Sequence, residues 1–350
     1  MSTPEAVLSN TLWATWERGP WLRSKHWDLT FLTFSGVLVI IPLFLYELIG
    51  TSATFVNLFI AGVIGGPHMY ATFFRTALDE PFRQRYRWLI LSSVAIPVLV
   101  IIGAVWHFRL LITLFFFWAS VHVLHQIAYI LECYDRKQRG KLQYWSRCID
   151  YAVVFSSLYP MATYHFIHDN FTIGTTLLLF PSFLKTPLIV YLATGFFVLA
   201  LLAFIAKTLV EVRLGTVHYP KILLMTVTIG LALLITSYSG YKLEIAFQGF
   251  NTWHSFQYLA LTWYISTLRQ QHGEIASSWV QRLSRPGHFG AFYGVNVALT
   301  CGALMLIGMV FWLSGLSFER SYYIVVLSFL LMHYYHDHVL FTRFADLVRV

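Results

Sequence analysis

The sequence predicts an all-α, polytopic membrane protein, a bundle of about ten crossing helices forming one domain over residues 1–350. Three observations carry that reading. Charged residues make up 11% of the chain and hydrophobic ones 57%, whereas a soluble domain carries about 25% charged residues. Apolar runs close to the ~20 residues that cross ~30 Å of hydrocarbon recur along the whole length. Lysine and arginine gather in alternate connections, as the inner surface of a membrane favours.

The helices are expected at 29–49, 54–74, 88–107, 110–132, 149–167, 187–206, 221–239, 244–268, 290–314 and 322–342. The first 28 residues lack a short apolar core with a small-residue cleavage site, so the first helix is expected to serve as the insertion signal. Three connections are longer than the rest. Segment 133–148 is basic. Segment 168–186 contains the apolar stretch TLLLFPSFL, which suits the interface or a re-entrant loop. Segment 269–289 mixes polar and apolar residues at helical spacing, as an amphipathic helix lying on the membrane does.

With both termini cytoplasmic, the inner segments hold 20 of the 24 lysines and arginines, and the outer side keeps Arg109, Lys185, Lys242 and Arg320. The net charge of +8 therefore reads as topology and contact with anionic lipid heads. No connection is long enough to present a basic face to nucleic acid. Cys133, Cys148 and Cys301 show no CxxC or Cys/His zinc spacing, and no structural disulfide is expected. The insertion pattern fits a bacterial inner membrane.

Histidine is the residue out of place. It occurs inside membrane-length segments at GGPHMYATFF (His68), FWASVHVLHQIAY (His122 and His125), NTWHSFQYLALTWY (His254) and LLMHYYHDHVLF (His333, His336 and His338). A titratable side chain at membrane depth costs free energy without a partner, which makes it a functional-site candidate. At ~1.5 Å per residue, His68, His122, His125, His333 and His336 lie roughly 9–15 Å from the cytoplasmic helix ends, and His254 roughly 20 Å. Helices two, four, eight and ten thus offer histidine in one half of the membrane.

Spacing agrees with convergence. Residues three and four apart share a helix face, so His122 and His125 project together with Gln126 and Tyr129, and His333 projects with His336 and Asp337. Neutral imidazole suits iron, zinc or copper, and Asp337 suits a carboxylate ligand or a partner orienting a histidine. Tyr129, Gln257 and Tyr258 are placed for supporting hydrogen bonds. Each of these residues also has a plainer reading. A membrane histidine can be hydrogen-bonded glue between helices; His165 and His168 suit an interfacial role, and His26, His107, His218, His272 and His288 suit solvent. Glu132 and Asp150 lie on the same side and are candidates to join the cluster. The aromatic content, 18%, fills space between helices, and LFFFWAS beside His122 or Trp253 and Trp263 around His254 also suit the wall of an apolar pocket.

The GGPHMY, NTWHSFQYL and HYYHDHVLF patches resemble the bacteriorhodopsin-related-protein family, histidine-rich membrane enzymes associated with oxidative cleavage of β-carotene to retinal at non-haem iron. The patches cover about a tenth of the chain. The resemblance implies that His68 and His254 are iron ligands. The chain departs from the family where MYATFF follows the Pro-His pair in place of a Gly and an acidic residue. A looser likeness is to membrane desaturases and hydroxylases, whose histidine boxes bind two irons; the adjacent histidines of those boxes are missing here.

The resulting expectation is a membrane oxygenase or oxidoreductase. One or two iron ions would be held by His68, His122, His125, His254, His333 and His336, with Asp337 and Tyr129 assisting, and zinc or copper would also suit. The substrate would be lipophilic (a carotenoid, sterol or acyl chain), and a cytoplasmic electron donor would meet the basic face. Two alternatives stand beside it. A proton- or ion-coupled transporter would use the histidines as a relay, with helix breaks such as Gly65-Gly66-Pro67 recurring in two halves. A haem-binding electron-transfer protein would need only two of the histidines.

Overall fold

The computed structural model describes residues 21–138, 144–168 and 171–348. They form a helical bundle: α1 (Lys25–Leu48), α2 (53–75), α3 (Glu80–Arg85), α4 (Arg87–Trp106), α5 (Phe108–Lys137), α6 (Tyr144–Ser156), α7 (Tyr159–His168), α8 (Pro187–Arg213), α9 (Tyr219–Thr236), α10 (Tyr241–Gln271), α11 (Ser278–Leu283), α12 (Phe289–Ser314) and α13 (Phe318–Leu340). The sheet content among the described residues is one hairpin, β1 (Thr172–Ile173) with β2 (Thr176–Leu177), in the connection where an interfacial or re-entrant stretch was expected. The helix expected on the membrane at 269–289 is reduced to the six residues of α11.

Among the described residues, six helices are long and apolar enough to cross a membrane: α1, α4, α5, α8, α9 and α12. The other expected spans fall short for two reasons. The span expected at 149–167 is divided into α6 and α7 by a turn at Ser157 and Leu158. Pro160 has no N–H for the Ser156 carbonyl, so the hydrogen bonding of α6 cannot run on through it. The remaining three, α2, α10 and α13, are long enough but polar. Gly65-Gly66-Pro67-His68, Glu244-to-Gln257 and the HYYHDH run hold down their hydropathy. These three carry five of the fourteen histidines, three of the four in the ring described below among them.

α10 runs through the centre, packed on α1, α2, α5 and α9, while α13 packs on α2, α4, α5 and α12. The central packing is close. A Cβ on Gly249 of α10 would lie 2.2 Å from the Val39 carbonyl oxygen of α1, so any larger residue would force the two backbones apart. α8 covers α6 and α7 at the periphery.

Two local features position α2 and α1. In α2, Pro67 cannot donate to the Val63 carbonyl, and the helix widens into a π-turn over Ala61–Gly65 immediately before it. The freed carbonyl accepts from the Tyr293 hydroxyl of α12, the repair a helix needs where no water is at hand. At the start of α1, the buried Asp28 carboxylate accepts from the Leu22 N–H at 2.6 Å, the Arg23 N–H at 3.0 Å and the Tyr134 hydroxyl at 2.9 Å. That ties the chain entering α1 to α5.

A buried ion network joins α5, α6, α8 and α9. Asp150 accepts from Lys207 and, at 2.8 Å, from Lys221, which also donates to Asp135 at 2.6 Å. Glu132 pairs with Arg136 at 2.8 Å and with Arg147. Both Glu132 and Asp150 are therefore committed to lysine and arginine partners.

Candidate metal centre

His68 on α2, His122 on α5, His254 on α10 and His333 on α13 form a closed ring of four imidazoles. Neighbouring ring centroids lie 5.2 Å apart for His68–His254, 5.0 Å for His254–His122, 5.0 Å for His122–His333 and 4.8 Å for His333–His68. Every neighbouring pair meets edge to face, at 68–88°. All four are buried, at 3% exposure or less. Asp337, fully buried one turn beyond His333, brings a carboxylate oxygen to 3.8 Å from His122 Nε2.

Five of the groups facing this ring carry polar atoms without a hydrogen bond: Nε2 of His68, His122 and His333, both ring nitrogens of His254, and Oδ2 of Asp337. An orphaned buried polar atom costs about 1–3 kcal/mol, and several at one point ask for a shared partner. Two overlapping sets, His68–His254–His333 and His122–His333–Asp337, each place ligand atoms within 4.8 Å of one another. Nitrogen and oxygen ligands at about 2.0–2.2 Å from a common ion lie no more than about 4.4 Å apart. A contraction of a few tenths of an ångström therefore suffices, and the residues fit a divalent transition metal.

The atoms that face away from the ring are held. His333 Nδ1 lies 2.5 Å from Thr72 Oγ1, and His68 Nδ1 lies 2.9 Å from Ser255 Oγ. Asp337 Oδ1 accepts from the Tyr258 hydroxyl at 2.6 Å and from Thr72 at 3.2 Å. The groups are all satisfied when His333 Nδ1–H donates to Thr72 and the Thr72 and Tyr258 hydroxyls turn to Asp337. That tautomer leaves His333 Nε2 with its lone pair, as a metal ligand requires. Gln126 Nε2 donates to the His254 carbonyl at 3.1 Å and to Gln257 Oε1 at 3.0 Å, and Gln257 donates to the Leu32 carbonyl at 2.5 Å. Tyr334 stacks on His122 with centroids 4.0 Å apart.

One sequence regularity underlies this layer. Each ring histidine is followed four residues later, on the same helix face, by a member of the supporting layer: Thr72 after His68, Gln126 after His122, Tyr258 after His254 and Asp337 after His333. Thr72, Ser255 and Tyr334 were not among the expected site residues. The i+4 pattern would have pointed to Thr72; Ser255 and Tyr334 have no comparable signal.

The other expected ligands stand apart from the ring. His125 is half-buried beside His338, with centroids 5.9 Å apart, and packs on Phe341. His336 is buried, with Nδ1 at 3.2 Å from Thr76 Oγ1 and its ring against Phe73. Tyr129 is buried between the stacked rings of Phe341 and Phe344. His165 binds the Thr236 carbonyl at the end of α9, at 2.9 Å, and so acts as glue between helices. His168 is exposed and bonded to the Tyr164 carbonyl. His218, expected in solvent, is 2% exposed and caps α9.

The segment after α13 closes one end of the site. Phe341 packs on Tyr258 and His122, and Asp346 pairs with Arg75 of α2 at 3.1 Å, both buried. On the opposite side of the ring a cavity extends from His68 toward Glu244, walled by aromatic and aliphatic side chains such as Phe116, Phe247 and Leu327.

Comparison with protein-family models, with curated proteins and with solved structures finds no match to this chain.

Proposed function

We propose that the protein is an integral membrane oxygenase or oxidoreductase, holding one iron ion in the histidine ring and oxidising a lipophilic substrate with O₂. The observation that carries the reading is the convergence of five orphaned, buried ligand groups from four helices beside an apolar cavity that opens onto His68. The resemblance at GGPHMY and NTWHSFQYL, which would make His68 and His254 iron ligands, agrees with it.

One ion is favoured over two. Both ligand sets need His333, and its Nδ1 is occupied by Thr72, so one nitrogen remains for one ion. His68, His122, His254, His333 and Asp337 would hold it. Histidine together with carboxylate suits iron in O₂ chemistry, and a bound iron would supply the redox step. The protein's own part is orientation and exclusion of water. Thr72 and Ser255 fix ring tautomers, Tyr258 holds Asp337 as an acceptor, and Phe341 with the Arg75–Asp346 pair seals one side.

Transport is less well supported, because the carbonyl freed by the break at Pro67 is taken by Tyr293. Haem is less well supported too, because the four rings meet edge to face at about 5 Å with no slot for a porphyrin. Ten spans with both termini cytoplasmic, in a bacterial inner membrane, remain the favoured topology. The polar helices α2, α10 and α13, and α6 with α7 as one divided span, then complete the ten crossings, and electrons would enter at the basic face.

Metal analysis of detergent-purified protein tests the reading. The expected result is about one iron per chain, lost in the His122→Ala/His333→Ala variant. Folded, monodisperse protein that binds no metal would overturn it.

A further inference from the structure

The cavity beyond His68 is defined at both ends. Along α10, Glu244, Phe247, Gln248 and Asn251 line it, and His254, Ser255 and Tyr258 continue the same stripe at steps of three and four residues into the metal centre. Ten residues separate Glu244 from His254, a rise of about 15 Å. α2 runs alongside with Asn57, Ala61 and Gly65 leading to His68. The walls between are largely aromatic and aliphatic, with Asn251 donating to Gln248 at 3.5 Å, and the far end is polar.

The far end offers acceptors. Glu244 is 9% exposed, and its carboxylate binds the Asn57 amide at 3.1 Å and the Gly174 N–H at 3.0 Å. Both partners are neutral, and no lysine or arginine pairs with it among the described residues. Asn57 spends its NH₂ on Glu244, and its Oδ1 is buried without a hydrogen bond. Glu319, outside the chamber lining, binds the Thr175 hydroxyl at 2.7 Å and so holds the hairpin turn that carries Gly174. An unsatisfied carbonyl oxygen beside a carboxylate, at the end of an apolar chamber, calls for a donor carried by the ligand.

We propose that the chamber takes a rod-shaped lipophilic alcohol, its one hydroxyl proton donated to Asn57 Oδ1, whose amide Glu244 holds, and its apolar body reaching about 15 Å to the histidine ring. A hydroxyl suits better than an ammonium, because burying a neutral donor beside acceptors costs far less than burying a charge. The substrate class is then a long-chain or fused-ring alcohol, held so that the atoms oxidised lie well away from the hydroxyl. This rests on the chamber being the substrate site of the proposed metal centre.

The test uses a fluorescent conjugated 18-carbon tetraene alcohol and its methyl ether, which keeps the shape and removes the donor. Both are titrated into full-length protein in detergent, and the iron content of the same preparation is measured. The alcohol is expected to bind at least about tenfold more tightly than the ether. The ratio should fall below about threefold in Glu244→Gln, or in Asn57→Leu where the first variant is not monodisperse. Equal binding of the two probes, or binding of neither, by folded wild-type protein overturns the proposal. Discrimination by iron-free protein would uphold it and sink the metal reading instead; iron-loaded protein that fails to discriminate would do the reverse.

Discussion

The Tyr258 hydroxyl donates to Asp337 Oδ1 at 2.6 Å, joining α10 to α13 directly beneath the four imidazoles. The bond leaves Asp337 Oδ2 free to face the ring. Tyr258→Phe removes the donor and keeps the ring's packing. Removing a partner that orients a metal ligand costs about 10–100-fold in metal affinity. Competition with a chelator should show a loss of that size in Tyr258→Phe, with the thermal midpoint little changed. Wild-type affinity in the variant would mean that Asp337 does not act through this bond.

His333 makes a parallel case. Thr72→Ser keeps an oxygen for its Nδ1, whereas Thr72→Val leaves an N–H buried against a methyl group. The serine variant should retain iron near wild-type levels, and the valine variant should lose affinity by about 10–100-fold. Equal metal content in both would show that the hydroxyl does not set the tautomer.

Pro67 and Tyr293 form a pair that a double-mutant cycle can isolate. In the wild type, Tyr293→Phe leaves the Val63 carbonyl without a partner, at a cost of about 1–3 kcal/mol. In Pro67→Ala the restored N–H can reach Val63 through the helix, and Tyr293→Phe should then cost much less. Unfolding in detergent should therefore give a coupling of about 1 kcal/mol or more. Additive effects would show that the tyrosine contributes by packing alone.

Asp150 neutralises two lysines that are each 1% exposed at the side chain. Asp150→Ala would leave Lys207 with only the longer Glu211 contact, at 3.7 Å, and removing one partner of a buried pair costs about 3–5 kcal/mol, enough to abolish accumulation of folded protein. The double change Asp150→Ala/Lys207→Met, which leaves the Lys221–Asp135 pair intact, should recover much of the loss, as measured by monodisperse yield and thermal midpoint. No recovery would place the role of Asp150 outside charge compensation.

How much of this was legible in the sequence follows from what each signal depends on. Long apolar runs depend on composition alone, so α4, α9 and α12 begin and end close to the expected places, while α5 and α8 run on to Lys137 and Arg213, past the expected ends at 132 and 206. The split between α6 and α7 was missed, although Pro160 marks it. The histidine-bearing helices were legible because a titratable residue in an apolar run is conspicuous. Which histidines meet was not. His122 and His125 share a face by spacing, yet only His122 enters the ring, because that depends on how α5 is rotated against α13. Similarly, His218 reads as a loop residue, and its burial against Tyr134, with centroids 5.2 Å apart, comes from a contact that no local pattern encodes.

His218 gives the pH dependence. It lies between α8 and α9, accepts from the Lys221 N–H at 3.4 Å, and burial, with the neighbouring Lys221 charge second, lowers its pKa to about 3. In the unfolded chain it titrates near 6.5. Between those values the unfolded state binds a proton that the folded state refuses, so this residue makes stability fall as pH drops from about 6.5 towards 3. His218→Asn keeps a side chain able to cap α9 and removes the titration. Its thermal midpoint should therefore fall less steeply than the wild type's between pH 6.5 and 4. Parallel profiles would show that His218 is protonated in the folded protein, and that other groups govern acid sensitivity.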